Sequence, residues 1–156
     1  MNTKKGIIII ISTLIILFGI IIIIKLTNRK SGDIILDDKY YNKGEYVEVL
    51  SNEVNELKDS TYVLFTYNNY CSLPIPCDKI FKQFMEKYKI DFLSITFEEF
   101  KKTYLYETVK FAPSVIIIKN GKIIDYLRSD DNDDLEKYQD VKEFKNWISK
   151  YIKLKK

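Results

Sequence analysis

A stretch of 19 residues from Gly6 to Ile24 without a single charge, twelve of them isoleucine, constrains this chain more than any other feature. At 1.5 Å per residue it makes a helix of about 28 Å, close to the thickness of a bilayer's hydrocarbon core. Ser12, Thr13 and two glycines are its small or polar interruptions, so it lacks the polar face that a helix of a soluble core carries. A cleaved export signal has a shorter apolar region followed by small residues, and neither is present. The run therefore reads as an uncleaved, single-pass anchor in the lipid bilayer. This divides the 156 residues into a short basic N-terminus (1–5), a transmembrane signal-anchor helix (6–24), a tether (25–45) and one domain (46–156). Lys4 and Lys5 on one side nearly balance Lys25, Arg29 and Lys30 on the other. Cysteine usage, below, places the domain outside the cytoplasm.

All 22 acidic residues and 20 of the 25 basic ones fall after position 30, so that part of the chain carries −2 and the formal +3 belongs to the flanks of the anchor. A nucleic-acid partner needs clustered Lys and Arg and is not expected. The sequence contains no histidine, which excludes His-based zinc sites and hydrolases built on Ser–His or Cys–His pairs. Two thiols cannot complete a four-ligand zinc site, and neither a metal nor a cofactor is expected. Asp130, Asn132 and Asp134 have the opening spacing of a calcium loop, but Leu135 replaces the required glycine and Val141 the closing glutamate. Residues 129–140 are expected as a solvated acidic loop.

The pattern predicts a strand at 46–50, a helix with Ser51 as N-cap, and an apolar strand Tyr62–Tyr67. A helix from Pro76 to Lys87 puts Ile80, Phe81, Phe84 and Tyr88 on one stripe, and Phe92–Ile95 follows as a strand. Residues 97–108 are expected as helix with Phe97, Phe100, Tyr104 and Leu105 inward. In SVIIIKNGKIIDYL two β-branched runs flank Asn120–Gly121, which predicts a hairpin with a type I′ turn. Val141, Phe144, Ile148, Tyr151 and Ile152 space a closing helix with Trp147 on its flank. The order β-α-β-α-β-α-β-β-α implies an α/β mixed sheet covered by helices.

Both cysteines lie in one segment, Tyr70-Cys71-Ser72-Leu73-Pro74-Ile75-Pro76-Cys77, between an apolar strand and an amphipathic helix. A thiolate at a helix N-terminus is stabilised by unsatisfied N–H groups and becomes a nucleophile near neutral pH. Two of the chain's three prolines, Pro74 and Pro76, sit in this loop, and Pro76 fixes the helix start just before Cys77. The pair reads either as redox-active or as a structural disulfide clamping an exported loop. Tyr40, Tyr41, Tyr67, Tyr70, Tyr104 and Tyr106, among 12 tyrosines, could form an aromatic binding face but fit core and rim positions better. Tyr67 and Tyr70 flank the cysteine loop and could line a peptide groove.

From Tyr46 to Ile152 the chain resembles the thioredoxins. Tyr70-Cys71 and Pro76-Cys77 look like the aromatic-Cys and Pro-Cys ends of that family's active-site motif, and Lys119-Asn120-Gly121-Lys122 matches its hairpin turn. Ala112-Pro113-Ser114 looks like the segment holding its cis-proline. The resemblance implies a thioredoxin-like mixed sheet with Cys71 as attacking thiol and Cys77 as resolving thiol. It also implies that Pro113, with a cis bond to Ala112, shapes a substrate groove. The cysteines are separated by five residues where the family has two, Phe65 stands where the family has a buried acid, and the helix lacks the family's kinking proline. The expected function is a membrane-anchored thiol–disulfide oxidoreductase acting on exported protein or peptide thiols and disulfides, with a membrane redox partner possible. Its direction, whether oxidation, reduction or isomerisation, is left open by the sequence. The alternative is a non-catalytic accessory protein of the same fold, such as a peptide-export accessory, that holds a partner and keeps a structural disulfide.

Overall fold

The β-branched and aromatic run Tyr62–Tyr67 is buried over five of its six residues, and Ser114–Lys119 likewise, because both are inner strands of one sheet. The computed structural model describes residues 32–68 and 74–154. Five strands, β1 (Tyr46–Glu48), β2 (Tyr62–Tyr67), β3 (Phe92–Thr96), β4 (Ser114–Lys119) and β5 (Lys122–Tyr126), lie in the order β1-β3-β2-β4-β5. β3 runs parallel to β1 and β2, while β4 is antiparallel to β2 and to β5. This is the mixed sheet that the sequence predicts, down to the limits of β2. At the β4–β5 turn Asn120 and Gly121 both take positive φ, 49° and 70°, as a type I′ turn requires.

Short helical segments serve the sheet. The helices are α1 (Ser51–Glu56), α2 (Cys77–Tyr88), α3 (Phe97–Phe100), α4 (Asn132–Gln139) and α5 (Val141–Ile148), with a 3₁₀ turn at Tyr104–Glu107 after α3. α2 buries Cys77, Ile80, Phe81, Phe84 and Met85, a stripe at helical spacing, and stops at Lys89 in the left-handed conformation. Phe144 of α5 meets Phe81 and Phe84 at centroid distances of 4.6 and 5.1 Å, which joins the two helices through an aromatic core on one face of the sheet.

Four expectations are corrected. Ser51 is not the cap of α1: Leu50 holds that position, and the Ser51 hydroxyl donates to Glu99 Oε2 at 2.8 Å. The helix expected over 97–108 breaks after Phe100, where the Thr103 hydroxyl turns back to the Phe100 carbonyl at 2.8 Å. The acidic loop contains helix α4, capped by Asp131, whose carboxylate accepts from Asp133 N; Asp133 and Asp134 sit in the first turn, where negative charge suits the helix dipole. The closing helix ends at Ile148, and Trp147 is buried rather than flanking, its Nε1 donating to Asp125 at 2.8 Å.

The tether also differs. From Gly32 on, it is part of the domain. Ile34, Leu36 and Tyr40 are buried, and Ile34 forms a parallel bridge with Ile152 through Ile34 N to the Tyr151 carbonyl (2.9 Å) and Lys153 N to the Ile34 carbonyl (2.8 Å). Asp37 and Tyr40 bond to the residues just before β2 and β3, Thr61 and Asp91. This strap closes the end of the sheet from which those strands start. The anchor expected at 6–24 and residues 25–31 lie outside the described residues; among the described residues no helix is long and apolar enough to cross a membrane.

Candidate functional site

At the opposite end of the sheet the chain leaves β2 at Tyr67, and residues 74–76 lead into α2. Tyr70 and Cys71 lie outside the described residues. Pro76 takes the N-cap position with φ −56°, and its carbonyl accepts from Lys79 N at 3.0 Å, so Cys77 is the first residue of a 12-residue helix. Its side chain is 3% exposed. The Ala112–Pro113 bond before β4 is cis, as the resemblance implies.

Cys77 and Pro113 border one cleft of about 330 Å³, shared with Tyr46, Phe65, Tyr67, Asn68, Asp78 and Ser94. Its floor is aromatic: the Phe65 ring lies 5.5 Å from Tyr46, 5.9 Å from Tyr67 and 5.3 Å from Phe81. At the place of the family's buried acid this cleft therefore offers a hydrocarbon surface. Polar groups line its rim. Tyr46 Oη donates to the Asp78 carbonyl at 3.0 Å, and burial, aided by the charges of Asp78 and Cys77, pushes its phenol well above the usual range, so it stays protonated. Tyr67 Oη donates to Glu48 Oε1 at 3.3 Å, and its phenol is likewise raised, by desolvation first and the carboxylate second.

The segment around Pro113 is held from two sides. Asn68 Nδ2 donates to the Ala112 carbonyl at 3.2 Å, and Tyr138 Oη donates to the Pro113 carbonyl at 2.9 Å. Tyr138 is fully buried, and its phenol is pushed far up by desolvation before any charge acts on it. The structure thus brings Cys77, Tyr67, Ala112 and Pro113 to one place. Sequence reasoning missed Tyr46, Asn68, Asp78, Tyr138 and Gln139. For Tyr138 a signal existed: with Leu135 it is an apolar pair at i, i+3 inside an otherwise charged run.

Among the described residues no three acidic or cysteine side chains gather where they could hold a metal ion. What the arrangement offers is a buried thiol at a helix start, beside a cis-proline, in a cleft with apolar walls.

No protein-family model matches the sequence. No curated protein matches it either. Among solved structures the chain is similar to a mutant thioredoxin from Halobacterium salinarum, at 16% identity and a TM-score of 0.53 over 74% of this chain and 97% of that one. A thioredoxin from Schistosoma mansoni (22% identity, TM-score 0.45, 66% and 98% of the two chains) and the long form of thioredoxin f from spinach chloroplast (20%, 0.45, 68% and 93%) are also similar. The first likeness establishes the fold of the domain.

Proposed function

We propose that this thioredoxin-fold protein is a thiol–disulfide oxidoreductase, held at a membrane by residues 6–24 with its domain outside the cytoplasm, that exchanges disulfides with exported proteins through Cys71 and Cys77. The observation that carries the reading is Cys77 at the first position of α2 in the same cleft as cis-Pro113. The unsatisfied N–H groups at the start of a 12-residue helix stabilise negative charge on a sulfur held there.

In the reducing direction the Cys71 thiolate attacks one sulfur of a substrate disulfide, forming a mixed disulfide and releasing the first substrate sulfur as a thiolate. The Cys77 thiolate then attacks the Cys71 sulfur. The second substrate sulfur leaves, and the Cys71–Cys77 disulfide remains; two electrons have passed to the substrate, and the two protons of the dithiol end on its thiols. Run backwards, the same steps oxidise a substrate dithiol, and the reduction potential of the pair decides which direction prevails. Tyr67 and Pro113 form the walls against which a peptide would lie. The Cys77→Ala variant is expected to accumulate a mixed disulfide through Cys71 when mixed with a disulfide-bonded protein, detected as a mass adduct lost on reduction. Trapping through Cys77 alone, in Cys71→Ala, would overturn the assignment of roles.

A second reading, a non-catalytic binding platform, draws on Phe65, which leaves the cleft floor without a carboxylate to move protons during exchange. That protein would hold its partner equally well with both cysteines replaced by alanine.

A further inference from the structure

We infer that Gln139, the last residue of α4, is a positioning residue of the cysteine site: its carboxamide grips the backbone of Ile75 at two points and so fixes the segment that delivers Cys77 to the cleft. The grip is a fact of geometry, and its consequence for disulfide exchange rests on the redox reading above. Within residues 74–76 the flanking prolines have no N–H, so Ile75 carries the segment's one backbone donor. That donor goes to Gln139 Oε1 at 3.1 Å, while Gln139 Nε2 donates to the Ile75 carbonyl at 2.8 Å. One side-chain amide thus does for Ile75 what a neighbouring antiparallel strand would do. Two bonds in opposite senses fix orientation as well as distance, which one bond cannot.

Burial does not hold this segment, because the Ile75 side chain is 43% exposed. The anchor is supplied from α4. Tyr138, next to Gln139, is packed 5.6 Å from the Phe81 ring of α2 and bonds the Pro113 carbonyl, so the end of one helix contacts both loops that border Cys77. Gln139 Nε2 also donates to the Tyr138 carbonyl at 3.0 Å, which limits its rotamers.

The test is the rate at which Cys77 reacts with 4,4′-dithiodipyridine in the full-length Cys71→Ser protein, with the thermal midpoint measured alongside. Gln139→Ala is expected to raise the rate about tenfold, the effect of two ordinary hydrogen bonds no longer closing the segment, while the midpoint falls by only a few degrees. Gln139→Glu has the same size, keeps the acceptor for Ile75 N–H and loses the donor, so its rate is expected to lie between the two. Rates within twofold of the parent in both variants would overturn the inference, as would a rise that merely follows the loss of global stability. If Gln139→Ala should fail to fold, Gln139→Glu decides alone. A changed Cys77 rate together with no trapped mixed disulfide in Cys77→Ala removes the redox reading and leaves the clamp; trapping with unchanged rates does the reverse.

Discussion

The two ends of the sheet solve opposite problems. At the strap end two carboxylates tie the chain down: that of Asp91, 4% exposed, accepts from Gly44 N (2.7 Å), Glu45 N (2.8 Å) and Asn42 Nδ2 (3.1 Å), and Asp37 accepts from Thr61 N (3.2 Å). Gly44 is left-handed at φ 83°, and a Cβ there would collide with the Met85 carbonyl, so the strap lies directly on the end of α2. At the cleft end the sheet stops in aromatic rings, and Ile75 and Phe111 stand out into solvent. The contrast separates a closed end, where hydrogen bonds serve stability, from an open end, where apolar side chains reach the surface beside a buried thiol.

The largest effect is expected from making the cleft end polar. Phe65→Asp puts a carboxylate against Tyr46, Tyr67 and Phe81 with no cation among these rings, and should cost about 3–5 kcal/mol at pH 7 in denaturant unfolding. Burial raises the carboxyl's pKa when folded, so the deficit should shrink as pH falls. Next comes the strap end: Asp91→Ala orphans two backbone N–H groups and should cost about 2–3 kcal/mol, with the intrinsic reactivity of Cys77 in the folded protein unchanged. A parallel change in thiol reactivity would show that the two ends are coupled. Tyr138→Phe keeps the ring and loses the bond to Pro113, and should cost about 1 kcal/mol while altering the rate of Cys77 modification.

The smallest effect is expected at Glu99, just past the cleft-end terminus of β3. Its carboxylate accepts from Lys102 Nζ and from the Ser51 hydroxyl and backbone N–H, which together lower its pKa from 4.5 to about 2. A carboxyl that is a stronger acid when folded contributes fully above its unfolded pKa. The contribution is then lost as pH falls toward 2. The thermal midpoints of wild type and Glu99→Gln should therefore converge between pH 5 and about 2; a constant difference would reject this cause.

β2 and the β4–β5 hairpin could be read because their strands are β-branched and aromatic runs, the hairpin's broken by Asn120–Gly121, and α2 because its apolar residues recur at helical spacing. The strap could not: Ile34, Leu36 and Tyr40 are isolated apolar residues among charges, and what holds the strap in place is distant in sequence, at Thr61 and Ile152. Helix α4 was hidden by its acid content, although Asp131 is an ordinary cap. At the site, the place of Cys77 was legible because Pro76 fixes the helix start before it, and the cis bond of Pro113 only through the resemblance to the thioredoxins. Tyr138 and Gln139 were not, because they reach the site only once α4 has docked on α2.

The Ile34–Ile152 bridge ties together positions near the two ends of the domain. Contacts of such long span gain nothing until the intervening chain is already ordered, because their loop-closure entropy is otherwise unmet. The bridge therefore forms only once the sheet between its two residues is ordered. Until then the edge left by Ile34 and Leu36 is unpaired. The period between synthesis and completion is thus when this domain is most exposed to proteases and to pairing with a neighbour, and a nick or truncation after Ile148 would extend it indefinitely.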